Sequence, residues 1–136
     1  MQVNAQDRME FIRLLGLFYT WLYPWAKEKG YRVSLGDAYR DPKFSWENLG
    51  EVLKILANKY CYFHNWSFHC LRCAQDINLI RTDGTLAQTK EEYQPMGDKW
   101  KSLDPMCEWG GDFSAHSNSP SDSDHFSYKE GKSTGN

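Results

Sequence analysis

The ten-residue stretch Ser67-Phe-His-Cys-Leu-Arg-Cys-Ala-Gln-Asp76 sets a histidine and an aspartate seven residues apart in a chain with four histidines in all. We read His69 and Asp76 as two ligands of one zinc ion. The third comes from near the C-terminus, where Asp122-Ser-Asp-His-Phe126 offers His125 among acidic neighbours. Two imidazoles and one carboxylate are a common catalytic zinc set, because three protein ligands leave a fourth position for water. Water held there is acidified to a pKa of about 7, and hydrolysis then needs a base to take its proton and pass it to the leaving amine. Asp122, three residues before His125, is the candidate base, with Glu108 and Asp124 as competitors. The competing reading for each histidine taken singly is a hydrogen-bonded structural or surface residue, and for the Asp-rich segment a solvated loop. His64 and His116 are read as loop or surface residues, since the three-ligand set is already complete.

Positioning these groups requires a frame, and the chain supplies one in order. Residues 7 to 23 place Phe11, Leu14 or Leu15, Phe18 and Leu22 at helical spacing, so a first helix with one apolar face is expected, ending near Pro24 or Gly30. Trp21 and Trp25 belong with that packing. The run Tyr31 to Arg40 reads as a strand leading into a loop, with Val33 and Leu35 on one side. From Ser45, a plausible N-cap, Trp46, Leu49, Val52, Leu53 and Leu56 keep helical spacing to about Asn58 and predict a second helix. Ala74 to Ile80 alternates as a strand should, with Ala74, Asp76, Asn78 and Ile80 on one face and Gln75, Ile77 and Leu79 on the other. A carboxylate in mid-strand needs a partner, and a metal is an efficient one.

Asp83-Gly84 marks a turn into a short return through Leu86, and Thr89-Lys-Glu-Glu92 has the form of a capping box. Tyr93, Met96, Trp100 and Leu103 follow at helical spacing, with Pro95 disturbing the first turns; the alternative is an irregular loop with one helical turn. Cys107 to Phe113 reads as a turn-rich lead into a strand, Ser114 to Ser123 as a loop, and His125 to Tyr128 as a short strand. We expect one domain over residues 1–128, of α+β class with a small antiparallel sheet against N-terminal helices. The polar residues 129–136 are expected to be a disordered tail.

Composition narrows the function. With 136 residues, 40% apolar and 15% aromatic, the chain can bury one core, and a formal charge of −2 gives no basic footprint for nucleic acid. Residues 11–25 carry Arg13 and Pro24 and fall short of the roughly 20 apolar residues that span a bilayer, so no membrane insertion is expected. The N-terminus lacks the pattern of a secretory signal. The cysteines at 61, 70, 73 and 107 are taken as free, small, buried or half-buried thiols; Cys70 and Cys73 form a C-x-x-C with no second pair to complete a four-cysteine site.

Together these segments resemble a known family. Ser67 to Asp76 is similar to the Ser-x-His-x-x-(Gly or Arg)-x-Ala-x-Asp signature of the D-alanyl-D-alanine carboxypeptidases and phage L-alanyl-D-glutamate endopeptidases, zinc enzymes that share a fold with hedgehog. Glu108-Trp-Gly-Gly-Asp-Phe113 with Asp122-x-x-His125-Phe126 resembles the second signature of the phage and VanY-like branch, and Ala38-Tyr-Arg40 the upstream arginine segment. The resemblance runs over about residues 30 to 128. It implies zinc on His69, Asp76 and His125, with Asp122 as general base. It also implies Arg40 as the cation that stabilises the oxyanion or holds a substrate carboxylate, and Ser67 as a substrate or supporting hydrogen-bond group. The chain departs from the family in three places: Asp122-Ser-Asp-His125 puts two acids where relatives have one, Arg72 replaces a frequent glycine, and Cys70 and Cys73 lie unusually near a metal.

The expectation is therefore a monomeric zinc peptidase acting on the peptidoglycan stem peptide. In its endolysin form it would be made in the host cytoplasm, would act at the periplasmic wall and would cut the L-Ala-D-Glu bond. The alternatives are a D,D-carboxypeptidase releasing terminal D-Ala and a non-catalytic zinc-bearing wall-binding module.

Overall fold

The computed structural model describes residues 3–36, 72–116 and 122–130 of the chain. Helix α1 runs over Ala5–Glu28 and starts from a reciprocal cap: Asp7 N donates to Asn4 Oδ1 at 2.9 Å and Asn4 N to Asp7 Oδ2 at 3.0 Å. That cap starts the helix two residues before the apolar periodicity does. Pro24 lies within α1 rather than at its end. It sits on the exposed face, where water can serve the carbonyl that its missing N–H leaves unbonded. The helix stops at Gly30, whose φ of 84° suits glycine, as Tyr31 N turns back to Ala26 O at 2.8 Å.

Strand β1 spans Arg32–Leu35 and β2 spans Ala74–Ile80, the latter with the bounds and the two faces expected from its alternation. After β2, Gly84 at φ 87° and the Asp83 carboxylate, which accepts from Thr85 N at 2.9 Å, make the turn that returns Leu86 to a bridge with Ile80. Helix α2 covers Lys90–Leu103, and its capping box at Thr89 and Glu92 forms as the sequence indicates. Pro95 stays on its exposed face. Strand β3 is Cys107–Trp109, a 3-10 helix follows over Gly110–His116, and β4 is His125–Tyr128. The expected helix from Ser45 to Asn58 lies outside the described residues.

Among the described residues the strands form one antiparallel sheet in the order β1-β2-β4-β3. The last of the described strands, β4, is thus inserted beside β2, and an α+β fold results. Ile77, Leu79, Phe126 and Trp109 share one face, which packs on α1 and α2. Phe18 of α1 meets Phe126 at 5.3 Å and Trp100 of α2 at 5.4 Å between ring centroids. Fully burying side chains of this size contributes on the order of 1.5–3 kcal/mol each. Trp21 and Trp25, stacked at 5.1 Å, flank this core as packing residues. Among the described residues no helix is long and apolar enough to cross a membrane.

Candidate metal centre

The opposite face of the sheet carries the polar groups. Residues directly opposed across an antiparallel ladder share a face, so the pairs Asp76 with His125 and Glu108 with Ser127 place all four on the side away from the core. His125 Nδ1 lies 3.3 Å from Asp76 Oδ1 and 3.8 Å from Asp122 Oδ2, while Nε2 lies 2.6 Å from Glu130 Oε2. The imidazole is 5% exposed, against 53% for Asp122, so the histidine is buried and the candidate base faces solvent.

Local structure explains how the Asp122–His125 corner is held. Asp122 N donates to Gly110 O at 3.1 Å and His125 N to Asp122 O at 3.1 Å, which closes a turn over the start of the 3-10 helix. A Cβ on Gly110 would sit 2.1 Å from Asp122 O and 2.8 Å from His125 Cβ, so only glycine allows this approach. The buried Trp109 donates from Nε1 to Ser123 O at 2.7 Å, and Phe113 packs against the His125 ring at 5.6 Å. Trp100 Nε1 is shared between Glu108 O at 3.1 Å and Ser127 O at 3.0 Å, clamping β3 to β4 beneath the site. On the far side of β2, Gly36 N donates to Asp76 O at 2.8 Å.

The electrostatics of the metal-free corner follow from these contacts. Burial alone lowers the pKa of His125, but the hydrogen bonds of Asp76 and Glu130 outweigh it and push the imidazole up to about 10. Burial, with the Asp122 hydrogen bond and the Asp76 charge, pushes Asp124 up to about 7. The corner thus gathers the carboxylates of Asp76, Asp122, Asp124 and Glu130 around one imidazole. Cys73 is buried in the core, its thiol pushed up to about 12 by burial, which makes it a packing residue. Cys107 is buried in the same way.

Of the residues singled out from sequence, the structure brings together Asp76, His125 and Asp122, with Glu108 on the same sheet face and Asp124 hydrogen-bonded to Asp122. His69, Ser67, Arg40, His64, Cys61 and Cys70 lie outside the described residues. Among the described residues no three His, Cys, Asp or Glu side chains form a group that could hold a metal by themselves. The pair Asp76 and His125 nevertheless fits one side of a zinc site: a carboxylate oxygen and an imidazole nitrogen converge from neighbouring strands, and a second carboxylate stands on the other imidazole nitrogen. Glu130, which sequence reasoning assigns to the tail, is the group it misses. No pattern in the sequence points to it.

No protein-family model and no curated protein sequence matches the chain. Among solved structures it is similar to the vancomycin resistance D,D-pentapeptidase VanY from a VanB-type resistance cassette, crystallised as a glutamate-to-alanine variant in complex with Zn(II). The TM-score is 0.52 at 18% identity, over 87% of this chain and 71% of that one. The chain shares the fold of VanY. The α+β class and the sheet-on-helices arrangement expected from the sequence agree with that likeness.

Proposed function

We propose that the chain is a zinc-dependent peptidoglycan peptidase that cuts the L-Ala-D-Glu bond of the stem peptide, as an endolysin does. The observation that supports the zinc-peptidase part of this reading is the opposed pair Asp76 and His125, 3.3 Å apart in a VanY-type fold, with Asp122 at 3.8 Å on the open side. The choice of bond is taken from the resemblance of the signature segments to the phage endopeptidases. In this reading Asp76, His125 and His69 hold zinc. When bound, zinc supplies positive charge that polarises a scissile carbonyl and makes water more acidic. Asp122, exposed and next to His125, takes the proton from the attacking water and delivers it to the leaving amine. Asp124 shares a hydrogen bond with Asp122 and keeps that carboxylate oriented. Arg40 and Ser67 hold the substrate.

The likeness to a D,D-pentapeptidase favours a second reading, release of terminal D-Ala. Metal analysis of the purified protein before and after chelation, followed by mass analysis of digested muropeptides, separates the two. Cleavage after L-Ala supports the endopeptidase, and free D-Ala as the only product overturns it in favour of the carboxypeptidase. A protein with no zinc and no effect on permeabilised cells would overturn both.

A further inference from the structure

We propose that Glu130 is a positioning residue of this centre: it holds the Nε2 side of His125, so that Nδ1 is the atom presented to the ion. The proposal rests on the zinc reading above and adds to it a residue outside the recognised segments. His125 Nε2 and Glu130 Oε2 are 2.6 Å apart, whereas Nδ1 faces Asp76 at 3.3 Å and Asp122 at 3.8 Å. Ligating an ion requires the neutral imidazole, which gives up the Nδ1 proton and keeps one N–H, and an ionised carboxylate can only accept. Glu130 therefore keeps the proton on Nε2 and leaves the Nδ1 lone pair on the side of the other two acids, an arrangement that orients a ligand and raises its basicity.

The position of Glu130 is built rather than incidental. It lies just past β4, and the chain reaches it through Lys129, whose φ of 74° is left-handed and turns the backbone back over the sheet face. A non-glycine residue keeps that conformation where its surroundings hold it. Two contacts do so here: Lys129 N donates to Met106 O at 2.7 Å, and Lys129 Nζ lies 3.2 Å from Asp7 Oδ2. Asp7 is itself the buried partner in the cap of α1. The first turn of the first helix and the turn after the last strand thus fix one carboxylate on the imidazole.

The test compares zinc affinity, by chelator competition, in the wild type, Glu130→Ala and Glu130→Gln, with thermal unfolding of each metal-free protein as the control for folding. Glu130→Ala is expected to weaken zinc binding about tenfold or more, the range found for groups that orient a ligand, while Glu130→Gln, which keeps an acceptor, recovers part of the loss. Histidine ring 15N spectra of the zinc-loaded wild type are expected to show Nδ1 ligated and Nε2 protonated. Unchanged affinity in Glu130→Ala, or ligation through Nε2, would overturn the proposal. A wild type that takes up no zinc is a different result: it removes the zinc reading itself, and the proposal with it. Should Glu130→Ala fail to fold, the wild-type spectrum decides alone.

Discussion

Asp76 and His125 are directly opposed residues of neighbouring antiparallel strands, with Oδ1 and Nδ1 3.3 Å apart. A cross-strand pair holds its side chains with little freedom, because each backbone is fixed by its ladder and each Cβ by the pleat. Asp122 differs in kind: it sits on the turn before β4 and is largely exposed. Removing the two acids should therefore have separable effects. Asp76→Ala is expected to abolish stable zinc binding. Asp122→Asn should retain the metal and lose turnover by about 100-fold or more, the scale of general acid-base assistance. Metal content by mass spectrometry set against muropeptide release checks both. Full activity in Asp122→Asn would move the base to Glu108 or Asp124.

The two glycines Gly110 and Gly16 make opposite predictions. Gly110→Ala drives a Cβ to 2.1 Å from the Asp122 carbonyl, which is backbone and cannot swing aside, so the Asp122–His125 corner must shift. A loss of about 1–3 kcal/mol is expected from such overpacking, together with weakened zinc binding. Gly16 lies inside α1, and a Cβ placed there would meet nothing within 4 Å, so Gly16→Ala should stabilise by about 0.5–1 kcal/mol and leave the metal untouched. Urea midpoints and zinc titration of the two variants read both outcomes.

The parts of this molecule that are legible in the sequence are those written in local patterns. The alternation over 74–80 marks β2 and both its faces, the Thr89–Glu92 box marks the start of α2, and the β-forming run after Asp124 marks β4. The partnership of Asp76 with His125 follows from placing β4 between β2 and β3, which no local pattern encodes. Its expectation comes instead from the residue types and the family resemblance. Cys107 to Phe113 reads as a lead into a strand, yet β3 ends at Trp109 and the chain turns into a 3-10 helix. The cause is close approach, since both Gly110 and Gly111 lie against neighbours that a Cβ would strike. Glu130 is invisible for a related reason: its contact depends on a left-handed Lys129, and lysine does not announce that conformation.

Tyr93 offers a test of how β2 is tied to α2. Its buried hydroxyl accepts from Leu79 N at 3.0 Å and donates to Ala87 O at 3.0 Å, bridging the end of the strand to the segment before the helix. Tyr93→Phe keeps the ring and removes both bonds, stranding an amide in the core. A destabilisation of about 1–3 kcal/mol is expected, the cost of leaving a buried polar group unsatisfied. Hydrogen exchange should accelerate at the Leu79 amide relative to Ile77. Unchanged stability and unchanged exchange would show that the hydroxyl bridge contributes nothing.

Acid sensitivity should trace to Glu92. The Arg81 guanidinium, at 2.7 and 2.9 Å and against the opposing effect of burial, holds this carboxyl well below the usual range, helped by hydrogen bonds from Thr89 and Tyr31. A folded-state pKa below the unfolded one means that the unfolded chain binds more protons between the two values, so stability rises with pH across that window. The contribution is complete above the ordinary glutamate value of about 4.3 and is lost progressively as pH falls below it. Glu92→Gln should accordingly be less stable than the wild type at pH 7, with the gap narrowing as the pH is lowered from about 5 to 3. Urea unfolding at several pH values in that interval measures the gap directly. A difference that stays constant with pH would mean that Glu92 acts through its capping geometry rather than its charge.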